Sequence, residues 1–204
     1  SEISYTLTPV GEFDIVLPVT TANNCDTLEQ GRVKVYELPF AAAGPDLTVC
    51  SNQTINITGD LADNYSILQW ITRGDGTFDF TDRLHPVYTP GPNDSIAGTV
   101  ILVITAEGLA GNGTCQIAKD SLIVNLSNPK VTITKTDLLC FDDGSGSARA
   151  NTTGGIGIYS YSWTGPGGFT ATGAEISNLQ AGRYTVTVTD EAGCSATGSV
   201  NISE

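Results

Sequence analysis

Between Arg183 and Asp190 apolar and polar residues alternate strictly, with Tyr184, Val186 and Val188 on one side and Thr185, Thr187 and Thr189 on the other. A period of two over this length predicts an antiparallel strand with one buried face. The same phrase occurs twice more. Val16-Leu17-Pro18-Val19-Thr20 leads to Cys25, Val100-Ile101-Leu102-Val103-Ile104-Thr105 leads to Cys115, and the Tyr184 strand leads through Asp190-Glu191-Ala192-Gly193 to Cys194. Each is a β-branched strand, a small polar turn and a cysteine that opens another strand. Self-similarity of this kind marks a chain built as an array of modules. Cys25 closes a much shorter stretch than Cys115 or Cys194 does, so the first module is expected to be incomplete, with the chain a window from something longer and the mate of Cys25 upstream of Ser1.

Punctuation places the boundaries. Leu38-Pro39-Phe40-Ala41-Ala42-Ala43-Gly44-Pro45 and Ser127-Asn128-Pro129 read as short proline-marked connections. They divide the chain into residues 1–39, 40–127 and 128–204. Connections of a few residues restrict bending between modules, whereas a long Gly/Ser tether would decouple them, so the expected shape is an extended rod. Composition agrees with an all-β reading: 23 Gly, no Met and only 15% charged residues suit short strands joined by turns. No stretch shows the periodicity of an amphipathic helix, and no apolar run reaches the length of a transmembrane span.

In each of the two longer modules a Trp lies between two cysteines: Trp70 between Cys50 and Cys115, and Trp163 between Cys140 and Cys194. This order resembles the immunoglobulin arrangement, in which an inter-sheet disulfide packs on a core Trp. The resemblance implies bonds Cys50–Cys115 and Cys140–Cys194 and an oxidising, extracytoplasmic home. The alternative is a set of unrelated buried thiols.

A closer family resemblance follows from particular residues. Cys140, Gly144-Ser145-Gly146-Ser147-Ala148, Gly154-Gly155, Tyr159-Ser160-Tyr161-Ser162-Trp163, Leu179-Gln180-Ala181-Gly182-Arg183-Tyr184 and the strand running to Cys194 make residues 129–204 resemble a SprB repeat. Residues 44–127, with Val49-Cys50, Gln69-Trp70, Gly74-Asp75-Gly76-Thr77-Phe78 and Pro86-Val87-Tyr88-Thr89-Pro90, resemble the PKD-like domains found beside such repeats. Residues 1–39 resemble the last strands of another such domain. The fold implied is tandem immunoglobulin-like or PKD-like β-sandwich modules arranged end to end. The role implied is that of a long surface adhesin of the gliding-motility type in Bacteroidetes, exported by the type 9 secretion system to the outer cell surface. Its partners would be flanking repeats, the secretion and gliding machinery, and an extracellular substratum or polysaccharide. The competing function is that of accessory or glycan-binding modules of a secreted carbohydrate-active enzyme, with Phe78, Phe80, Tyr88 and Phe169 as candidate binding aromatics.

The inventory of reactive groups argues against an enzyme. The single histidine, His85, precedes Pro86, which predicts extended backbone at a strand entrance. Gly165-Pro166-Gly167-Gly168 follows a Trp strand with no helix behind it, so it reads as a hairpin tip rather than a phosphate loop. Arg73-Gly74-Asp75 spells an integrin-type tripeptide, but Gly-Asp-Gly most simply makes a tight turn. No cofactor is expected.

A net charge of −13 makes nucleic acid an improbable partner. Asp142, Asp143, Asp190 and Glu191 flank the cysteines expected to be bonded. Hard oxygen ligands gathered at a module end suit Ca²⁺, although the spacing does not fit an EF-hand and solvated turn carboxylates are the commoner explanation. Asp26-Thr27-Leu28, Asp94-Ser95-Ile96 and Asp120-Ser121-Leu122 resemble acceptors for O-glycosylation of exported Bacteroidetes proteins, which would modify Thr27, Ser95 and Ser121.

Overall fold

A computed structural model describes residues 10–20, 26–109, 117–140 and 144–204. The chain begins with a hairpin of β1 (Gly11–Thr20) and β2 (Asp26–Val35). Next come β3 (Phe40–Ala42), β4 (Leu47–Cys50), β5 (Ile55–Asn56), β6 (Leu61–Asp63), β7 (Tyr65–Thr72), β8 (Thr77–Phe78), β9 (Val87–Thr89), helix α1 (Pro92–Ala97), β10 (Thr99–Gly108) and β11 (Ile117–Ser127). The last part contains β12 (Lys130–Thr136), β13 (Gly146–Thr153), β14 (Ser160–Thr164), β15 (Thr170–Ala171), β16 (Glu175–Leu179), β17 (Gly182–Thr189) and β18 (Ser195–Ile202).

The period-two pattern of residues 183–190 does what it predicts, and the unbroken apolar run of β10 alternates in the structure in the same way. In β10, Val100, Leu102, Ile104 and Ala106 are buried while the residues between them face outward. In β17, Tyr184, Val186 and Val188 are buried. Two separate cores result, each closed between two layers of sheet as in a β-sandwich. The first gathers Trp70, Tyr88, Leu102, Ile104, Leu122 and Val124. It lies under a four-stranded sheet ordered β4-β11-β10-β7, with a three-stranded sheet β5-β9-β8 and the pair β3-β6 completing the module. The second gathers Trp163, Ile176, Leu179, Tyr184, Val186 and Ile202 between sheets β12-β13-β16 and β15-β14-β17-β18.

Four details depart from the sequence reading. β3 falls inside the stretch read as a linker: Ala41 and Ala43 are buried in the first core, and β3 pairs with β6. The connection between the sandwiches is only Asn128 and Pro129, since β11 ends at Ser127 and β12 begins at Lys130. A short helix, α1, appears where no helical periodicity exists. Its signals are local instead, with Pro92 in the first turn and a left-handed Gly98 (φ 74°) closing it. His85 is not extended but left-handed, at φ 57°. The buried carboxylate of Asp60 accepts from both its backbone N–H (2.7 Å) and its ring Nδ1 (2.5 Å), which holds it there. The Gly165–Gly168 stretch does form the tip between the paired strands β14 and β15.

The β1–β2 hairpin stands apart from both cores. Its register places Glu12 opposite Lys34 and Asp14 opposite Arg32 on one face. Arg32 meets Asp14 at 3.0 Å and Glu12 at 3.7 Å, and these exposed pairs add little stability. Phe13, Ile15, Leu17 and Val19 alternate onto the other face, where Ile15 and Leu17 remain largely exposed.

Both tryptophans are fully buried, but their polar ends differ. Trp163 Nε1 donates to the Gly173 carbonyl at 3.0 Å, whereas Trp70 Nε1 is without a partner among the described residues. Replacing either with Phe removes a similar volume, but only Trp163→Phe also deletes a hydrogen bond. Trp163→Phe should therefore cost about 1 kcal/mol more than Trp70→Phe in denaturant unfolding. Either Trp→Ala change should cost roughly 3–5 kcal/mol. Equal costs for the two Phe variants would show that the Gly173 bond contributes nothing.

Candidate functional site: the junction between the sandwiches

The residues with the most specific chemistry meet where the two sandwiches join. β4 runs parallel to β11, pairing Leu47 with Val124 and Cys50 with Ser127, so both strands end at the same level. Ser51 continues the pairing by donating its N–H to the Ser127 carbonyl at 2.8 Å. This brings a thiol and a hydroxyl side by side at one end of the first module. The opposing surface is the turn from β17 to β18. It is tightened by Asp190 N–H donating to the Cys194 carbonyl (3.0 Å), Gly193 N–H donating to the Asp190 carbonyl (3.1 Å) and Gly193 in the left-handed region at φ 81°. The turn presents a carboxylate, Asp190, and a thiol, Cys194, from its two ends.

The pairs meet across the boundary. Cys50 and Cys194 form a disulfide with Cα atoms 5.5 Å apart, joining residues separated by 144 positions. The Ser127 hydroxyl donates to Asp190 Oδ2. Asp190 Oδ2 also accepts the Ile156 N–H (2.9 Å), and Oδ1 accepts the Cys194 N–H (2.8 Å). The carboxylate thus ties together the end of β11, the loop after β13 and its own turn. Ser127 and Asp190 are both buried. Burial alone would raise the Asp190 pKa, but the hydrogen bonds from Ser127 and from the backbone of Ile156, Cys194 and Ala192 outweigh it, so the group is held below the usual carboxylate range.

Close backbone approach completes the joint. Gly154 has φ 67°, and a Cβ placed on it would lie 2.4 Å from the Asn128 carbonyl oxygen. A Cβ on the neighbouring Gly155 would sit 3.0 Å from Asp190 Oδ2. The Gly154-Gly155 pair thus leaves room for the two-residue connection to pass over the second sandwich.

This geometry corrects the expected disulfide pairing, Cys50–Cys115 and Cys140–Cys194. Cys50 bonds Cys194 instead. Cys140 follows β12 at the far end of the second sandwich, where Leu138 N–H meets the Ser203 carbonyl beyond the end of β18. The eight residues of β18 separate that end from Cys194, about 25 Å at strand rise, far beyond disulfide reach. Cys140 is exposed. Cys25 and Cys115 lie outside the described residues. Cys50 also shares a sheet with Trp70, so its bond leaves the module instead of crossing the core as in the immunoglobulin arrangement.

The grouping of Asp142, Asp143, Asp190 and Glu191 rested on a Cys140–Cys194 bond, and that basis is gone. Asp142 and Asp143 lie outside the described residues, Asp190 is occupied as described, and Glu191 donates its N–H to the Ile156 carbonyl at 3.1 Å. No group of three or more His, Cys, Asp or Glu residues suited to a metal gathers among the described residues.

A second carboxylate cluster orders the Arg73-Gly74-Asp75 turn. Asp94 accepts the N–H groups of Asp75 (3.1 Å), Gly76 (3.1 Å) and Gly91 (3.0 Å) and the Tyr88 hydroxyl (2.7 Å). Asp75 in return accepts the N–H groups of Asn93 and Asp94, each at 3.1 Å. Both oxygens of the Asp75 carboxylate are thus engaged at the start of α1. Burial pushes the Tyr88 hydroxyl up to about 12. Asp94 is held below its usual range because its hydrogen bonds, led by that from Tyr88, outweigh the opposing effect of burial.

Of the four candidate binding aromatics, Tyr88 is buried, Phe78 packs against Trp70 and Tyr88, and Phe169 meets Tyr184 edge-on. Phe80 is exposed and carries Arg83 over its ring at 3.9 Å. Among the hydroxyl candidates, Thr27 and Ser121 are exposed on strands, whereas Ser95 is half-buried and donates to the Gly91 carbonyl at 3.2 Å.

Comparison with solved structures identifies the class as tandem immunoglobulin-like β-sandwiches. A crystal structure of the N-terminal eight Ig domains of Down Syndrome Cell Adhesion Molecule matches with a TM-score of 0.57 at 14% identity, over 93% of this chain and 35% of that one. The chain thus spans about a third of the length of that structure. The two-domain IG1+IG2 structure of DIP-gamma matches with a TM-score of 0.46 at 11% identity, over 81% of this chain and 97% of that one. A Ca²⁺-stabilised adhesin of an Antarctic bacterium matches with a TM-score of 0.32 at 16% identity, over 94% and 56%. Within the second sandwich, residues 132–168 match the SprB repeat, so the chain carries that repeat. No curated protein matches the sequence.

Two tests address the joint. Because the folded pKa of Asp190 lies below its unfolded value near 3.9, its ionised form stabilises the fold fully above that pH, and the contribution is lost as pH falls through the folded value. Asp190→Asn should therefore cost roughly 1–3 kcal/mol at pH 7, with the gap to wild type closing below about pH 4. A gap independent of pH in denaturant titrations would mean that charge has no part in it. Gly154→Ala should destabilise the second sandwich by roughly 1–3 kcal/mol, from a left-handed backbone and a backbone clash. Calorimetry showing an unchanged midpoint would contradict that close approach.

Proposed function

We propose that this chain is a non-catalytic segment of a long cell-surface adhesin filament that acts in surface adhesion and gliding motility. The observation that carries the reading is the SprB repeat in the second sandwich. The tandem immunoglobulin-like fold supports it, because such modules repeat along a chain without each needing a site of its own. A disulfide joining two modules also fits an oxidising, extracytoplasmic location, since such bonds persist there and are rare in reducing compartments.

In this reading the first sandwich is a PKD-like spacer, residues 1–39 belong to another module of that kind, and export follows the type 9 route to the outer surface. Its partners are flanking repeats and an extracellular substratum or polysaccharide. O-linked glycans on the exposed Thr27 and Ser121 belong to the same picture. A two-residue connection backed by a covalent bond leaves little freedom between the sandwiches, and a charge of −13 discourages neighbouring modules from collapsing on one another. The job that results is to span distance and transmit force.

Small-angle scattering of residues 1–204 should give an elongated particle whose maximum dimension approaches the summed lengths of its modules. Deleting the segment from its parent cells should reduce surface attachment and gliding while leaving growth unchanged. A compact particle, hydrolytic turnover by the segment, or unaltered attachment after deletion would overturn the reading.

A further inference from the structure

We infer that the Cys50–Cys194 bond is a mechanical shortcut that takes the interiors of both sandwiches out of the path of tension. The argument is topological. A pull applied through the residues before Cys50 and after Cys194 follows the covalent chain to Cys50, crosses the sulfur–sulfur bond and leaves through β18. Everything between, from Ser51 to Gly193, hangs on a closed loop with a sequence separation of 144. That loop contains β5 to β17, the Asn128-Pro129 connection and both buried tryptophans. Without the bond, the same pull would run through β11, across two residues and into β12, loading each core in turn.

The segments left under tension lie at the margins of the sheets. β4 is an edge strand paired only with β11, β18 is an edge strand paired only with β17, and β3 pairs only with β6. They hold only a few of the core side chains, Ala41 and Ala43 in and beside β3 and Ile202 in β18, and the rest of both cores stays on the loop. The Ser127–Asp190 hydrogen bond lies within the loop. It seats the sandwiches against each other without being stretched, while the disulfide beside it carries the force. The bond borders a cleft of about 250 Å³ lined by Ser51, Gln53, Pro129 and Ser195. This inference concerns the route of force through the molecule and holds whether or not the parent protein is an adhesin.

Single-molecule stretching of residues 1–204 between handles on Ser1 and Glu204 tests it. At about 3.3–3.6 Å per residue, a loop of this length hides roughly 500 Å of chain. The oxidised protein should reach its limit about 500 Å short of full extension, with only short releases from its edge strands. The Cys50→Ala/Cys194→Ala variant should show two additional large releases that recover the hidden length. Adding a phosphine reductant to an oxidised molecule already held under tension should recover the same length, a comparison that does not depend on the variant folding. Oxidised molecules that extend fully without reductant would overturn the inference, as would peptide mapping that finds Cys50 joined to a residue other than Cys194.

Discussion

A single carboxylate, that of Asp190, organises the place where the two halves of this molecule meet. It reaches Ser127 at the end of β11, Ile156 in the loop after β13 and Cys194 across its own turn. The Ser127 hydroxyl and the Cys194 N–H would otherwise be buried polar groups needing partners, and such groups are costly to leave alone. Because Asp190 satisfies them together, the β17–β18 turn is held in the one orientation that points the Cys194 thiol at Cys50. The disulfide is a consequence of that placement as much as a cause of rigidity. The Gly154-Gly155 pair does the complementary work of removing side chains from the path of the connection.

The same device recurs inside the first sandwich with a different purpose. Asp94 and Asp75 exchange backbone hydrogen bonds between the turn after β7 and the start of α1, and Asp60 does so for the loop that contains His85. In a chain with only 9 Lys and Arg against 22 Asp and Glu, few carboxylates can be matched by cations. Several are matched by backbone N–H groups instead, and this orders long connections that lack strands of their own. High acidity is thus partly structural, not only a solvating surface.

The sequence displayed the cores better than the joints. Alternation in β17 and the turn at Gly165–Gly168 follow from local pattern, because a period of two carries its meaning within a few residues. Trp70 and Trp163 are core residues as the immunoglobulin resemblance implied, though without the intramodule disulfides expected beside them. The cysteine pairing did not, since it depends on which ends of which strands face each other. The order Cys…Trp…Cys suggested closure within a module, whereas the parallel pairing of β4 with β11 brings Cys50 to the boundary. Parallel pairing of strands so far apart in sequence leaves no local trace. Helix α1 was readable only from its punctuation, Pro92 and Gly98, and not from any apolar face. The left-handed His85 was hidden because its cause, Asp60, lies in another loop.

The separation of the two bonded cysteines also imposes an order in time. Cys50 leaves the ribosome, and any export channel that moves the chain N-terminus first, long before Cys194 exists to meet it. Cys115 and Cys140 emerge in between. Local pairing is kinetically easier than closing a loop of 144 residues. Any early local pairing has to be undone by reshuffling, and the turn set by Asp190 favours Cys194 as the final partner of Cys50. The native bond thus marks a chain whose C-terminal turn has reached the end of β4.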